Sequence, residues 1–254
     1  EAKEMSGEAS SRAFITLPGV QEQFIKELVA TGKPVVVVLM NGRPLTFPWI
    51  AEHAAAIVET WWTGSRGGPA IGDVLYGDYN PSAKLTMTFP RDVGQVPIFY
   101  SQKNTGRPYD PNTKWNSRYQ DIVNSPQYPF GFGLSYTTFT YDSLKVNGKQ
   151  FSFKDTIVAS IKITNTGSVK GEEIVQLYVR DLVGSVTRPV KELKGFEKVM
   201  LAPGESKNVI FKLTSNDLAF HTADMTFKAE PGAFWIMAGP DSERLQKREI
   251  RLIE

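Results

Sequence analysis

Carboxylates, imidazoles and aromatic rings are the side chains of this 254-residue chain that could do chemistry, and they are unevenly placed. Glu1, Glu4 and Glu8 share a polar, glycine-containing stretch without hydrophobic period, which reads as a loop. A loop carboxyl can give or take a proton at a reacting oxygen. Exposed glutamate is also the default on any solvated loop, so residue type alone assigns these three no role. His53 and His221 are too few and too far apart in sequence for a metal site, and both read as structural. The glycine-rich run 64–68 lacks the lysine of a phosphate loop and the spacing of a dinucleotide fingerprint. The absence of cysteine excludes disulfides, thiolate metal sites and cysteine nucleophiles, and leaves the redox compartment open.

Trp61 and Trp62 are adjacent, so on a helix they cannot face the same way: one reads as core and the other as open to a ligand, with core packing the commoner use of such rings. Further on, Tyr100, Tyr109, Trp115 and Tyr119 are interleaved with Arg107 and Arg118 across 91–129, a stretch rich in Pro, Gly and Asn. Rings and guanidinium groups there suit a ligand-contacting or partner-contacting surface, or packing between domains. A loop of this length without period is more often functional than idle.

The elements that must position these groups change character along the chain. Residues 18–31 place Val20, Phe24, Ile25, Leu28 and Val29 at helical spacing before Gly32, which predicts a helix covering a sheet. The run PVVVVLM at 34–40 has the pattern of a strand buried on both faces of a parallel sheet. After the turn Asn41-Gly42-Arg43-Pro44, a second amphipathic helix is predicted, with Trp49, Ile50, His53, Ala54, Ile57, Val58 and Trp61 on one face. Gly67-Gly68-Pro69 opens a third helix, closed by Gly77, after which Leu85, Met87 and Phe89 alternate as a half-buried strand should. Helices alternating with strands imply an α/β layer, and about ninety residues make only part of such a sheet.

From residue 130 a period of two takes over. Ile157, Ala159, Ile161 and Ile163 alternate with polar residues, as do Val175, Leu177 and Val179, then Val209, Phe211 and Leu213, then Phe234, Ile236 and Ala238. Turn signals such as Asn147-Gly148, Pro203-Gly204 and Pro231-Gly232 separate them. Roughly seven short strands in about 100 residues is the signature of an Ig-like or fibronectin type III sandwich. With Phe211 and Phe234 on an alternating inward face, that sandwich is expected to be structural rather than ligand-binding.

The motifs GDVLYGDYNPSAKLTMTFP, VPIFY and YPFGFGLSYTTF, in that order, resemble glycoside hydrolase family 3, close to the bacterial periplasmic β-glucosidases. The runs VKGEEIVQLYVRD and RPVKELKGFEKVMLAPGES are similar to the fibronectin-like domain at the C-terminus of many such enzymes. The implied fold is α/β plus all-β. Residues 1–92 would be the C-terminal part of the family's α/β sandwich, a parallel-sheet domain; 93–129 a wrapping linker; and 130–254 a fibronectin type III-like domain. Nothing here resembles the family's N-terminal (β/α)8 barrel, which carries its nucleophilic Asp.

A retaining glycosidase uses two carboxyl groups about 5–5.5 Å apart, one attacking the anomeric carbon and one protonating the leaving oxygen. In the family the second is a Glu on a loop of the α/β sandwich. SGEASSR at 6–12 is similar to the S-G-E-x-x-x-R form of that loop and puts the acid/base on Glu8, with Glu1 as the alternative alignment. Trp115, Arg118 and Tyr119 are the candidate substrate contacts. The implied function is that of the C-terminal part of an exo-acting β-glucosidase, acting with retention and supplying the acid/base loop but not the nucleophile. The chain alone would then be inactive. The implied partners are a β-glucoside or oligosaccharide and the absent barrel; a homodimer is admissible, and no cofactor or metal is called for. The competing reading is a non-catalytic carbohydrate-binding or scaffolding fragment.

A net charge of +2 with no basic run argues against a nucleic-acid partner. No apolar run approaches a membrane span, and the first residues do not make a signal peptide. The resemblance implies a periplasmic or secreted protein whose targeting segment would lie upstream.

Overall fold

The computed structural model describes residues 9–254, which form two compact units. The first holds the described residues through Tyr79 together with Met87–Ile98 and Ser125–Tyr128. The second holds Asn80–Thr86, Phe99–Asn124 and Pro129–Glu254. Among the described residues, no helix is long and apolar enough to cross a membrane.

The first unit runs α1 (Gln21–Ala30), β1 (Val36–Leu39), α2 (Pro48–His53), β2 (Ala56–Glu59) and α3 (Gly67–Tyr76). Strands β1 and β2 pair in parallel, Val36 opposite Ala56 through Leu39 opposite Glu59. The second predicted helix is therefore corrected: it stops at His53 because Ala54 turns extended, and Ile57 and Val58 lie in a strand. A short apolar run with β-branched residues fits either period, and pairing with β1 decides it. Strand β1 is not covered on both faces; Val37 and Leu39 are buried while Val36 and Met40 are exposed. Helix α1 buries none of its residues, Phe24 being 62% exposed, because a two-stranded sheet offers it too little surface. Helix α3 forms as expected and ends on Gly77 at φ +85°, the left-handed conformation glycine adopts freely.

The second unit is a β-sandwich. Its strands are β3 (Phe139–Tyr141), β4 (Lys145–Val146), β5 (Gln150–Ser152), β6 (Ile157–Asn165), β7 (Gly171–Asp181), β8 (Glu192–Leu201) and β9 (Ser206–Leu213). After α4 (Ser215–Leu218) come the small hairpin β10 (Phe220–His221) and β11 (Phe227–Lys228), then β12 (Gly232–Gly239) and β13 (Gln246–Ile253). One sheet has the order β5-β13-β12-β7-β8, and the other β3-β6-β4 with β9 also on β6. The inward residues expected from the alternation all join one core except Phe211, which is partly buried against it. The outer face carries Trp235, whose ring is covered by Lys247 Nζ at 3.9 Å and the Arg180 guanidinium at 5.0 Å. Those cations occupy the surface a sugar ring would need.

Strand β7 departs from simple alternation. Gln176 and Tyr178 belong to its outer face, yet both are buried. Tyr100 stacks on Phe130 at 4.4 Å and meets Tyr178 edge-on at 5.6 Å, while Gln176 Nε2 donates to the carbonyls of Gly131 and Pro240. Part of the expected linker thus packs as a second layer on the sandwich.

The predicted strand at 85–89 does not form either. The chain bends at Thr86 and Met87, leaving Phe89 in a lone bridge with Tyr128. Asn80–Thr86 is instead a strap held at alternate residues. Asn80 Nδ2 donates to the Lys170 carbonyl and its Oδ1 accepts from Ser135 and Tyr136; Ser82 donates to Glu172; Lys84 Nζ meets both Glu173 oxygens at 3.0 and 3.1 Å and the Gly133 carbonyl at 3.2 Å. Tyr141 donates to the same carboxylate at 2.6 Å. Burial, then the adjacent Glu173 charge and its hydrogen bond, raise the Tyr141 phenol well above its ordinary value.

Removing one member of a buried pair leaves the other charge uncompensated, which costs about 3–5 kcal/mol. Lys84→Met is expected to lower sandwich stability by that order in urea denaturation. Adding Glu173→Gln should recover part of the loss, and an additive double variant would contradict the coupling. Asp181 is the opposite case: it is buried, one oxygen accepts from the Val183 N–H at 3.2 Å and the other has no hydrogen-bond partner among the described residues. Burial raises its carboxyl, offset in part by that N–H and by Arg188. The native carboxyl therefore holds its proton more tightly than the unfolded one at 3.8, and stability falls as pH rises from there through the folded value. Asp181→Asn should gain stability relative to the parent across that rise; a midpoint difference that is flat from about pH 3 to about pH 7 would refute this.

Candidate functional site

In parallel sheets, ligands gather at the carboxyl ends of the strands. Here that edge is formed by Asn41-Gly42-Arg43 after β1 and by Glu59-Thr60-Trp61-Trp62 at the end of β2. Glu59 Oε1 accepts from the Trp61 N–H at 2.9 Å and Oε2 from Asn41 Nδ2 at 3.2 Å. Burial raises the Glu59 carboxyl against the lowering effect of these two donors. Asn41 is 1% exposed and also donates to the Arg43 carbonyl at 2.8 Å, while its own Oδ1 has no hydrogen-bond partner among the described residues. Arg43 Nη1 donates to the Arg12 carbonyl at 2.7 Å and to Ser11 Oγ at 3.0 Å.

The tryptophan pair divides. Trp61 sits at φ +51°, uncommon for a bulky residue, with its N–H on Glu59 and its ring 5.7 Å from Phe89. Phe89 is buried and also meets Phe47 and Tyr128. Trp62 is 61% exposed, and its indole lies so close to Gly42 that a Cβ there would overlap it.

Glu8 and Glu1, the two candidates for the acid/base, lie outside the described residues. Trp115, Arg118 and Tyr119 fall on one exposed loop of the second unit, Trp115 at 76% exposure. That loop is shaped by its own hydrogen bonds: Asn124 Nδ2 to the Ser117 carbonyl, the Tyr119 N–H to Asn124 Oδ1, and the Ser117 N–H to the Arg107 carbonyl. His53 is exposed and stacked on Trp49, and His221 is exposed beside Phe227. Among the described residues no three His, Cys, Asp or Glu side chains form a group that could hold a metal.

Sequence reasoning missed Asn41, Arg43 and Glu59. Reading β2 as helix removed the second strand end and, with it, the edge that brings the three together.

Residues 1–136 match the glycosyl hydrolase family 3 C-terminal domain. The chain belongs to glycosyl hydrolase family 3. Residues 173–242 of this family 3 chain match the fibronectin type III-like domain. It is 49% identical to a periplasmic β-glucosidase of Salmonella typhimurium, over all of this chain and 33% of that protein. A β-xylosidase of Formosa agariphila is 46% identical over 97% of this chain and 33% of its own length. The crystal structure of a β-glucosidase from Listeria innocua in complex with isofagomine superposes with a TM-score of 0.94 at 40% identity, covering 99% of this chain and 36% of that one. The family 3 chain thus spans about a third of the length of the curated relatives it matches.

Proposed function

We propose that this chain is the C-terminal part of an exo-acting, retaining β-glucosidase in which Glu8 is the general acid/base and a (β/α)8 barrel supplies the nucleophile. What carries the reading is similarity to a β-glucosidase along the whole chain, in a family 3 domain. The residues that follow Glu8 in sequence support it further: Ser11 and Arg12 are bonded to Arg43 at the carboxyl edge of β1. Glu8 protonates the departing glycosidic oxygen while the nucleophile attacks, then takes a proton from the water that releases the sugar. Two carboxyl groups perform both steps, without cofactor or metal. Trp115, Arg118 and Tyr119 contact the sugar chain. The Salmonella relative's name supports a periplasmic or secreted location.

The chain alone should not hydrolyse an aryl β-glucoside; turnover that survives repurification would overturn the split of the two carboxyl groups. In the complete enzyme, Glu8→Ala should slow disaccharides by about 10²–10⁴-fold, and far less an aryl glucoside whose phenol leaves without protonation. Azide should restore turnover by attacking the covalent intermediate, giving the β-glucosyl azide. Glu1→Ala should show neither effect. Because one relative is a β-xylosidase, aryl β-xyloside is the control substrate, and a higher kcat/KM on it would replace glucose by xylose in this reading.

A further inference from the structure

We infer that Arg43 is a positioning residue for the acid/base loop, held in place by Asn41 and Glu59; this rests on the proposed role of Glu8. A general acid works only within hydrogen-bond reach of the leaving oxygen, so a loop that carries one needs a fixed point close to it in sequence. Arg43 provides one. Its Nη1 binds the Arg12 carbonyl and Ser11 Oγ, so it grips main chain as well as side chain just after Glu8.

The anchor is itself rooted on the sheet. The Arg43 carbonyl accepts from Asn41 Nδ2, which also donates to Glu59 Oε2, and Glu59 Oε1 accepts from the Trp61 N–H. Asn41 follows β1 by two residues and Glu59 is the last residue of β2, paired with Leu39. The relay from Arg12 to Trp61 therefore starts at the acid/base loop and ends on two hydrogen-bonded strands. Both neighbours of the Asn41 amide nitrogen are acceptors, which fixes the direction of the amide and leaves its oxygen buried and, among the described residues, unpartnered. A buried amide oxygen without a partner costs stability, so the arrangement is not what a turn selected for stability alone would keep.

The test uses the complete enzyme and a series of aryl β-glucosides of increasing phenol pKa, with a disaccharide. Arg43→Met removes the donors and keeps most of the stem. It should lower kcat/KM on the disaccharide by about ten- to a hundredfold, the scale of a misplaced catalytic group, and change the most acidic phenol less than about threefold, steepening the leaving-group dependence. Arg43→Lys, which restores one donor, should fall between Met and the parent and serves if Arg43→Met does not fold. Equal losses on all substrates, or no loss, would overturn the positioning role. Glu8→Ala in the same series separates the two ideas. If it steepens the dependence and the Arg43 variants do not, the positioning role alone fails; if it does not, Glu8 is not the acid and the inference falls with it.

Discussion

A parallel pair of strands cannot be closed by a tight turn, because the chain must travel back before it can run forward again. Between Leu39 and Ala56 that return journey takes in the Asn41–Arg43 corner and α2, and the register sets Glu59 beside Leu39. Both strands consequently end on the same edge, and everything assigned to the candidate site follows from that. Glu59 reaches Asn41 because their strands end side by side; Trp61 adopts its left-handed backbone where the chain leaves β2; Arg43 lies where the corner meets Ser11 and Arg12. The chemistry-bearing residues are polar groups collected at one sheet edge by connectivity, not by nearness in sequence.

The second unit shows how unevenly buried charge is treated. Glu173 is buried under the strap with an ammonium and a phenol, each oxygen accepting at least one hydrogen bond. Asp181, at the end of the same strand, has one backbone donor and, among the described residues, no partner for its second oxygen. Desolvation acts on both. The difference lies in what surrounds them: the first is enclosed by a segment that comes from far earlier in the chain, the second by its own following loop, where Gly184 leaves little room beside the free oxygen.

How much of this was legible depended on the range over which a residue's neighbours are decided. The sandwich strands were readable because a half-buried strand writes its burial into every second residue, and β6, β7, β9 and β12 did so. Helix α3 was readable from its glycines. The pair of strands in the first unit was half lost, since Ala54–Glu59 has no distinguishing period and becomes a strand only by pairing with β1. Tyr178 and Gln176 were unreadable as buried residues, because what covers them arrives from 100 and 130–131, outside any local window. In the motif NPSAKL the spacing of Asn80, Ser82 and Lys84 was visible, but not what they grip. The glutamates proposed for catalysis were named from likeness of sequence, and the structure adds only the bonds of Ser11 and Arg12 to Arg43.

That covering layer makes the sandwich a poor cassette. Its strands begin at Phe139, so a cut just upstream would look clean on paper. Such a cut would strip Lys84 from Glu173, Asn80 from Lys170 and Tyr100 from Tyr178, exposing an aromatic surface and a carboxylate built to be enclosed. Gene shuffling that treats the fibronectin-like part as a detachable tail should therefore yield insoluble chains. Exchange points upstream of Asn80 carry the strap along and keep the packing of the sandwich intact, but they part Phe89 from Phe47 and Trp61 in the first unit. The inheritable module is defined by what the strands bury, and it begins well inside the preceding family 3 domain.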